Sequence, residues 1–156
     1  MRITQWGEYG ILCALFLDEK AGSGHKSVSA QEISDSQSID IQYAQQILQR
    51  LRKSGILSSA RGSHGGYYLS RPSSEITLYD VLNACEGDTF EVICEHKPIN
   101  GVNCQTDSLC MLKPIWYGLK NHIDVFLKGI TIKDLAKAPV TEENLVQIIS
   151  TQKPLH

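Results

Sequence analysis

Apolar residues recur at three- and four-residue steps in three separate stretches of the chain, and each predicts an amphipathic helix. The first, 3–17, carries Ile3, Trp6, Tyr9, Leu12, Cys13, Leu15 and Phe16, with Glu8 off the stripe, and is expected to end in the polar run 18–24. A short helix should start after Ser29, with Glu32 as its capping-box partner, and close near Ser36. Asp40 can cap the next one, on which Ile41, Ala44, Ile47, Leu48 and Leu51 form the apolar face before Gly55 stops it. Two short β-type runs follow, 56–60 and 67–69, separated by the glycine-rich stretch Arg61-Gly62-Ser63-His64-Gly65-Gly66. That pattern predicts a hairpin with a basic tip. A further helix is expected over 76–84, capped by Thr77. Downstream, Leu112, Ile115, Trp116, Leu119, Ile123, Phe126 and Leu127 make a long helical stripe, then 131–137 a short helix and 139–156 a weakly ordered tail.

Three helices and a hairpin, the second and third helices joined by a short polar turn, read as a winged helix-turn-helix. The expected class is mainly α with one small hairpin. Its parts are a DNA-binding unit over 1–87, a cysteine-bearing loop over 88–111, a pairing helix and short follower over 112–138, and the tail. A stripe as apolar as that of 112–127 has to be covered, by the rest of the domain or by a second copy of the chain.

Length fits a single core: the chain has 156 residues, 42% of them hydrophobic and 21% charged, which excludes collagen-like and generally disordered classes. No apolar run approaches the roughly 18 residues of a membrane span, and the start lacks the progression of a secretory signal. The expected location is the cytoplasm, where thiols stay reduced. Five cysteines there argue for metal or redox chemistry over a disulfide framework.

The formal charge of -2 hides a switch along the chain. Residues 41–71 hold no Asp or Glu but carry Arg50, Arg52, Lys53, Arg61 and Arg71; residues 72–96 hold no Lys or Arg but carry Glu75, Asp80, Glu86, Asp88, Glu91 and Glu95. A polyanion would be drawn to the first segment, because phosphate neutralisation supplies most nonspecific nucleic-acid affinity. On the third helix, Gln42, Tyr43, Gln45, Gln46, Gln49 and Arg50 should point outward. Glutamine amides can pair bidentately with adenine in the major groove, and Arg50, Arg52 and Lys53 near the helix end suit phosphates. At the tip, Arg61 and His64 sit among glycines whose missing Cβ atoms let backbone approach a sugar-phosphate wall. A merely polar helix does not account for four glutamines on a face without carboxylates. An ordinary hairpin turn remains the bland alternative for the tip.

Cys94, Cys104 and Cys110 are separated by nine and five residues. That spacing fits zinc knuckles poorly, since their paired ligands lie two to four residues apart. Three thiolates on one loop suit an iron–sulfur cluster with a different fourth ligand; free thiols or a thiol–disulfide switch are the alternative. No cysteine has a poised base beside it in sequence, so a thiol enzyme is not expected. Cys13 and Cys85 read as buried small residues.

The opening MRITQWGEYGILCALFL, the segment YAQQILQRLRKSGILSSARGSHGGYYLSRP, the helix ITLYDVLNACEG and the three-cysteine loop together resemble the Rrf-two family of bacterial iron–sulfur winged-helix transcription regulators (IscR/NsrR-like), over about residues 1–130. The resemblance implies a homodimeric DNA-binding regulator, with a long helix pairing the subunits and a cluster whose state sets affinity for a palindromic double-stranded operator. It implies Cys94, Cys104 and Cys110 as cluster ligands, with Tyr43, Gln45, Gln46, Arg61 and the Gly65-Gly66 wing on DNA. Two departures stand out. The family usually has five to seven residues between its first two cysteines, against nine here, and Lys113 replaces the histidine that follows the last cysteine by three residues in IscR-like chains. Glu8 takes the place of a carboxylate ligand found in NsrR-like relatives, with Cys85, His96 and His122 as competitors. The expected cofactor is a 2Fe–2S cluster in preference to 4Fe–4S.

Overall fold

A computed structural model describes residues 4–62, 65–87 and 112–137. Helix α1, Gln5–Gly22, starts at Thr4, whose hydroxyl accepts the Trp6 N–H at 3.2 Å. It runs beyond the end of its apolar stripe. Residues 18–20 are ordinary helix formers, and Lys20 is held by Glu32 at 2.7 Å and by the Phe16 ring, so the helix continues where the hydrophobic pattern stops.

Helix α2, Ala30–Gln37, is capped by Ser29, which accepts from the Glu32 N–H at 3.1 Å. The Glu32 carboxylate serves the Lys20 pair just described. Ser38 turns the chain in a left-handed conformation at φ 53°, and the buried Ser34 hydroxyl donates to the Ile39 carbonyl at 2.7 Å. Helix α3, Ile41–Lys53, follows. Asp40 caps it, accepting from the N–H groups of Gln42 at 2.8 Å and Tyr43 at 3.2 Å. Gly55 ends that segment at φ 73°, a conformation that favours glycine.

Strands β1, Leu57–Ala60, and β2, Gly66–Leu69, pair antiparallel with Leu57 opposite Leu69 and Ala60 opposite Gly66. Outside the hairpin, Val28 and Tyr67 exchange both backbone hydrogen bonds, at 2.9 and 2.7 Å. The approach is close enough that a Cβ on Gly66 would strike the Val28 carbonyl, so glycine is required there for the wing to dock.

Helix α4, Leu78–Glu86, opens with a capping box between Thr77 and Asp80, and Arg71 adds an ion pair to Asp80 at 3.1 Å. Helix α5, Leu112–Lys128, leads through Gly129 to α6, Ile132–Lys137. The connection between them is stitched back to the start of α4: Leu78 N–H donates to Ile130 at 2.9 Å and Ile132 N–H to Ile76 at 2.9 Å. Ile132 therefore joins the core made by Cys13, Ala14, Leu17, Ile33, Ile47, Leu48, Leu51, Ile56, Val81 and Cys85. The protein is thus mainly helical, with one two-stranded antiparallel wing. Among the described residues no helix is long and apolar enough to cross a membrane.

Candidate nucleic-acid interface and ligand positions

Helical geometry sorts α3 into three faces. Ala44, Ile47, Leu48 and Leu51 are fully buried. Gln42, Gln46, Gln49 and Lys53 lie on the opposite side and are exposed. Gln45 and Arg52, seven residues apart and both exposed, share one flank, where the Arg52 guanidinium reaches the Ser59 hydroxyl of β1 at 3.4 Å. The half-buried Tyr43 and the exposed Arg50, also seven apart, share the other flank, the one that borders α1 and α4.

On that second flank the geometry departs from the sequence expectation at Tyr43, while Arg50 is exposed as expected. The half-buried Tyr43 ring packs 4.6 Å from Trp6 and meets Tyr9 edge-on at 5.9 Å. Partial burial, then Tyr9 and Cys85, pushes its phenol up. Arg50 stacks 4.2 Å over the Trp6 ring and donates to the Cys85 carbonyl. Tyr43 is thereby partly covered, whereas Arg50 stays exposed while holding both partners. The cause is that α1 and α4 pack along this side of α3, a tertiary fact that periodicity within α3 does not contain.

At the wing, Arg61 is exposed and Gly62 adopts φ 112°. Gly65 and Gly66 have structural reasons to be glycine: a Cβ on Gly65 would stand 2.6 Å from the Ala60 carbonyl, and Gly66 meets Val28 as above. His64 lies outside the described residues.

Of the expected cluster ligands, Cys94, Cys104 and Cys110 lie outside the described residues, as does His96. Glu8 is exposed on α1, between Gly7 and Gly10, whose bare α-carbons lie against α4. Among the described residues no group of three or more His, Cys, Asp or Glu converges to hold a metal ion. The two competitors that are described have other engagements. Cys85 is fully buried, and burial pushes its thiol up to about 11, partly offset by Arg50. The His122 ring bonds through Nδ1 to the Gly118 carbonyl of its own helix at 2.8 Å. Cys13, likewise fully buried and reduced, has its thiol pushed up to about 12, by burial first and Cys85 second.

Sequence reasoning missed Glu86. Its Oε1 accepts the N–H groups of Thr4 at 2.8 Å and Gly7 at 3.1 Å, satisfying two donors at the start of α1. The partners are 82 and 79 residues away, and no local pattern signals such a bond.

A capped helix offering glutamines beside a cationic end and a glycine-closed wing defines a winged helix-turn-helix module of the kind transcription regulators use to grip DNA. The family Rrf2, described as "Iron-dependent Transcriptional regulator", matches residues 3–138. The HTH-type transcriptional regulator IscR of Sodalis glossinidius is 32% identical over 152 residues, 97% of this chain and 86% of the relative. IscR of Escherichia coli is 33% identical over 135 residues, 86% of this chain and 80% of its own length. Among solved structures, a transcriptional regulator from Listeria innocua superposes with TM-score 0.69 at 29% identity, covering 92% of this chain and 91% of its own. CymR, described as the global cysteine regulator of B. subtilis, follows with TM-score 0.65 at 26% identity over 87% of this chain and 96% of its own. The chain belongs to the Rrf2 family. It is a DNA-binding transcription regulator.

Proposed function

We propose that the protein is a cytoplasmic homodimeric regulator of the IscR/NsrR type, whose affinity for a palindromic operator depends on an iron–sulfur cluster responsive to redox state, nitric oxide or iron–sulfur supply. The observation that carries the DNA half is the exposed row of Gln42, Gln46 and Gln49 on α3, backed by Lys53 and flanked by Gln45 and Arg52. In this reading the glutamines meet base edges, while Arg52, Lys53 and Arg61 meet phosphates. Two such helices about a two-fold axis select half-sites about one helical turn apart.

The cofactor half rests on donor chemistry. Cys94, Cys104 and Cys110 would supply three thiolates and the exposed Glu8 a carboxylate, a set that suits an iron–sulfur cluster, read here as 2Fe–2S in preference to 4Fe–4S. When bound, the cluster supplies a site that oxidants, nitric oxide or protons can attack, most readily at the hard carboxylate. Burial keeps Cys85 in the core and out of this set.

The test is anaerobic purification followed by iron and sulfide analysis, visible spectroscopy and DNA titration, on wild type and on Glu8→Ala and each of Cys94→Ala, Cys104→Ala and Cys110→Ala. Colour that is lost in the cysteine variants and altered in Glu8→Ala supports the ligand set. A colourless protein that refuses reconstitution, forms a reducible disulfide and still binds DNA would replace the cluster by a thiol switch. The oxidised form solved for Staphylococcus aureus CymR, 28% identical with TM-score 0.66, gives that reading a structural neighbour. Loss of colour without any operator binding in wild type would sink both.

A further inference from the structure

Arg50, exposed in the last turn of the reading element, sits on the flank of α3 that borders α1 and α4. Its guanidinium is held by two unlike partners from two other elements: the indole of Trp6 on α1, 4.2 Å away, and the backbone carbonyl of Cys85 on α4. The carbonyl is one of the last four of α4, which have no donor within the helix, and the C-terminal end of a helix attracts a cation. The next residue, Glu86, reaches the opposite way and holds the first turn of α1 through the N–H groups of Thr4 and Gly7. Three elements thus meet over two consecutive residues. One of them bears Glu8, two residues after Trp6; another is followed in sequence by the segment holding Cys94, Cys104 and Cys110; the third is the reading helix.

We propose that Arg50 is a positioning residue which, by bonding the Cys85 carbonyl while stacking on Trp6, sets the placement of α3 according to how α1 and the end of α4 stand relative to each other. The claim rests on the cluster reading above, because Glu8 and the three cysteines are what would tie the cluster to those two elements. A directed hydrogen bond and a stacked ring are kept or lost as discrete contacts. Displacing α4 against α1 therefore asks Arg50 to give up one partner, and α3 must follow the partner retained. Two arrangements with different affinity for DNA are all a switch needs. Lysine cannot replace arginine here, since its ammonium lacks the planar fork that stacks and donates at once.

Two roles for Arg50 make opposite predictions. A phosphate contact contributes about 0.9 to the slope of log affinity against log salt and is largely retained by lysine. A positioning residue leaves that slope unchanged and alters the ratio of affinities between cluster-bearing and stripped protein. The experiment uses the full chain, anaerobic, with a duplex selected by the wild-type protein from a random library, titrated over a range of salt before and after removal of iron and sulfide. Wild type, Arg50→Lys and Trp6→Leu are compared. For wild type the two forms should differ by about 5- to 150-fold. In both variants the ratio should fall towards one with the wild-type salt slope retained. Trp6→Leu removes no charge, and it carries the test alone should Arg50→Lys not fold. A preserved ratio in the folded variants, or a reduced slope in Arg50→Lys or a companion Arg50→Gln, overturns the assignment. A wild-type ratio of one overturns the cluster reading instead. The salt slope of Arg50→Gln then decides the Arg50 assignment by itself, an unchanged slope supporting it and a slope reduced by about 0.9 rejecting it.

Discussion

Gly10 and Cys85 share one volume where α1 crosses α4: a Cβ added to Gly10 would stand 2.5 Å from the Cys85 Sγ. Both residues are buried, so neither can move aside into solvent. Gly10→Ala should destabilise the fold by about 1–3 kcal/mol through overpacking. Cys85→Ala should destabilise it separately by leaving a hole. In the double variant the new methyl occupies the space the sulfur vacated, and its next contact, Val81 Cγ1 at 3.3 Å, is tight but tolerable. The combined loss should then be smaller than the sum of the two. Thermal melts of the four proteins close this cycle, and simple additivity would show that the helices do not meet at these atoms.

The same buried thiols make stability fall on the alkaline side. Burial raises Cys85 to about 11 and Cys13 to about 12, from an ordinary 9.0 that the unfolded chain regains. Below pH 9 both thiols are protonated in either state, and the native preference for the neutral form is fully available. Between pH 9 and about 11 to 12 the unfolded chain ionises while the folded one does not, so stability drains away through that window. Urea midpoints should decline between pH 9 and 11 in wild type, and less steeply in Cys85→Ala. Equal declines in the two proteins would mean that other groups govern the alkaline limb. By the same logic, a thiol reagent at pH 8 should label these two positions only as the protein unfolds.

The displayed face of α3 separates readout from attraction. Gln46→Ala should lose about 1–3 kcal/mol of discrimination between the selected operator and a scrambled duplex, with little change on scrambled DNA. Arg52→Ala should weaken both duplexes alike and reduce the salt slope by about 0.9. Fluorescence anisotropy at several salt concentrations measures all four quantities. If Gln46→Ala lowers affinity equally on both duplexes, the glutamine row does not read bases. Arg52 also touches Ser59 of β1, so Ser59→Ala serves as the control for any indirect effect through the wing.

Local chemistry made much of this fold legible, and long-range pairing hid the rest. Ser29, Asp40 and Thr77 announce helix starts because a capping side chain bonds within three residues of itself, and Gly55 announces a stop because its φ of 73° disfavours other residues. The Val28–Tyr67 exchange, the stitching of Ile130 and Ile132 to the start of α4, and the Glu86 clamp on α1 have no such signature, since each joins residues tens of positions apart. The engagement of Tyr43 by Trp6 and Tyr9, and of Arg50 by Trp6 and the Cys85 carbonyl, belongs with these. On α3 alone they look as polar and outward as Gln46, and only the packing of α1 and α4 distinguishes them. Glu8 was legible as an exposed carboxylate; Cys94, Cys104 and Cys110, proposed to share a cluster with it, fall outside the described residues, so the ligand variants test whether they converge.

Helix α5 carries the face on which the proposed dimer would pair. Leu127 on its last turn is buried, but Leu112, Ile115, Trp116, Leu119, Val125 and Phe126 are all exposed, with Ile115 57% accessible. Leu112, Ile115 and Leu119 follow one another at helical three- and four-residue steps, which makes a continuous apolar edge and not scattered surface residues. Water contact along such an edge is costly, and a second copy packed across a two-fold axis would relieve it on both chains at once. The pair Ile115→Glu and Leu119→Glu should therefore convert a dimer into a monomer in analytical ultracentrifugation, with helical circular dichroism retained because neither side chain is in the core. Operator affinity should fall steeply in the same protein, as one reading helix cannot hold a palindrome by itself. A variant that stays dimeric with unaltered DNA binding would place the interface on another face and leave the apolar edge of α5 without this explanation.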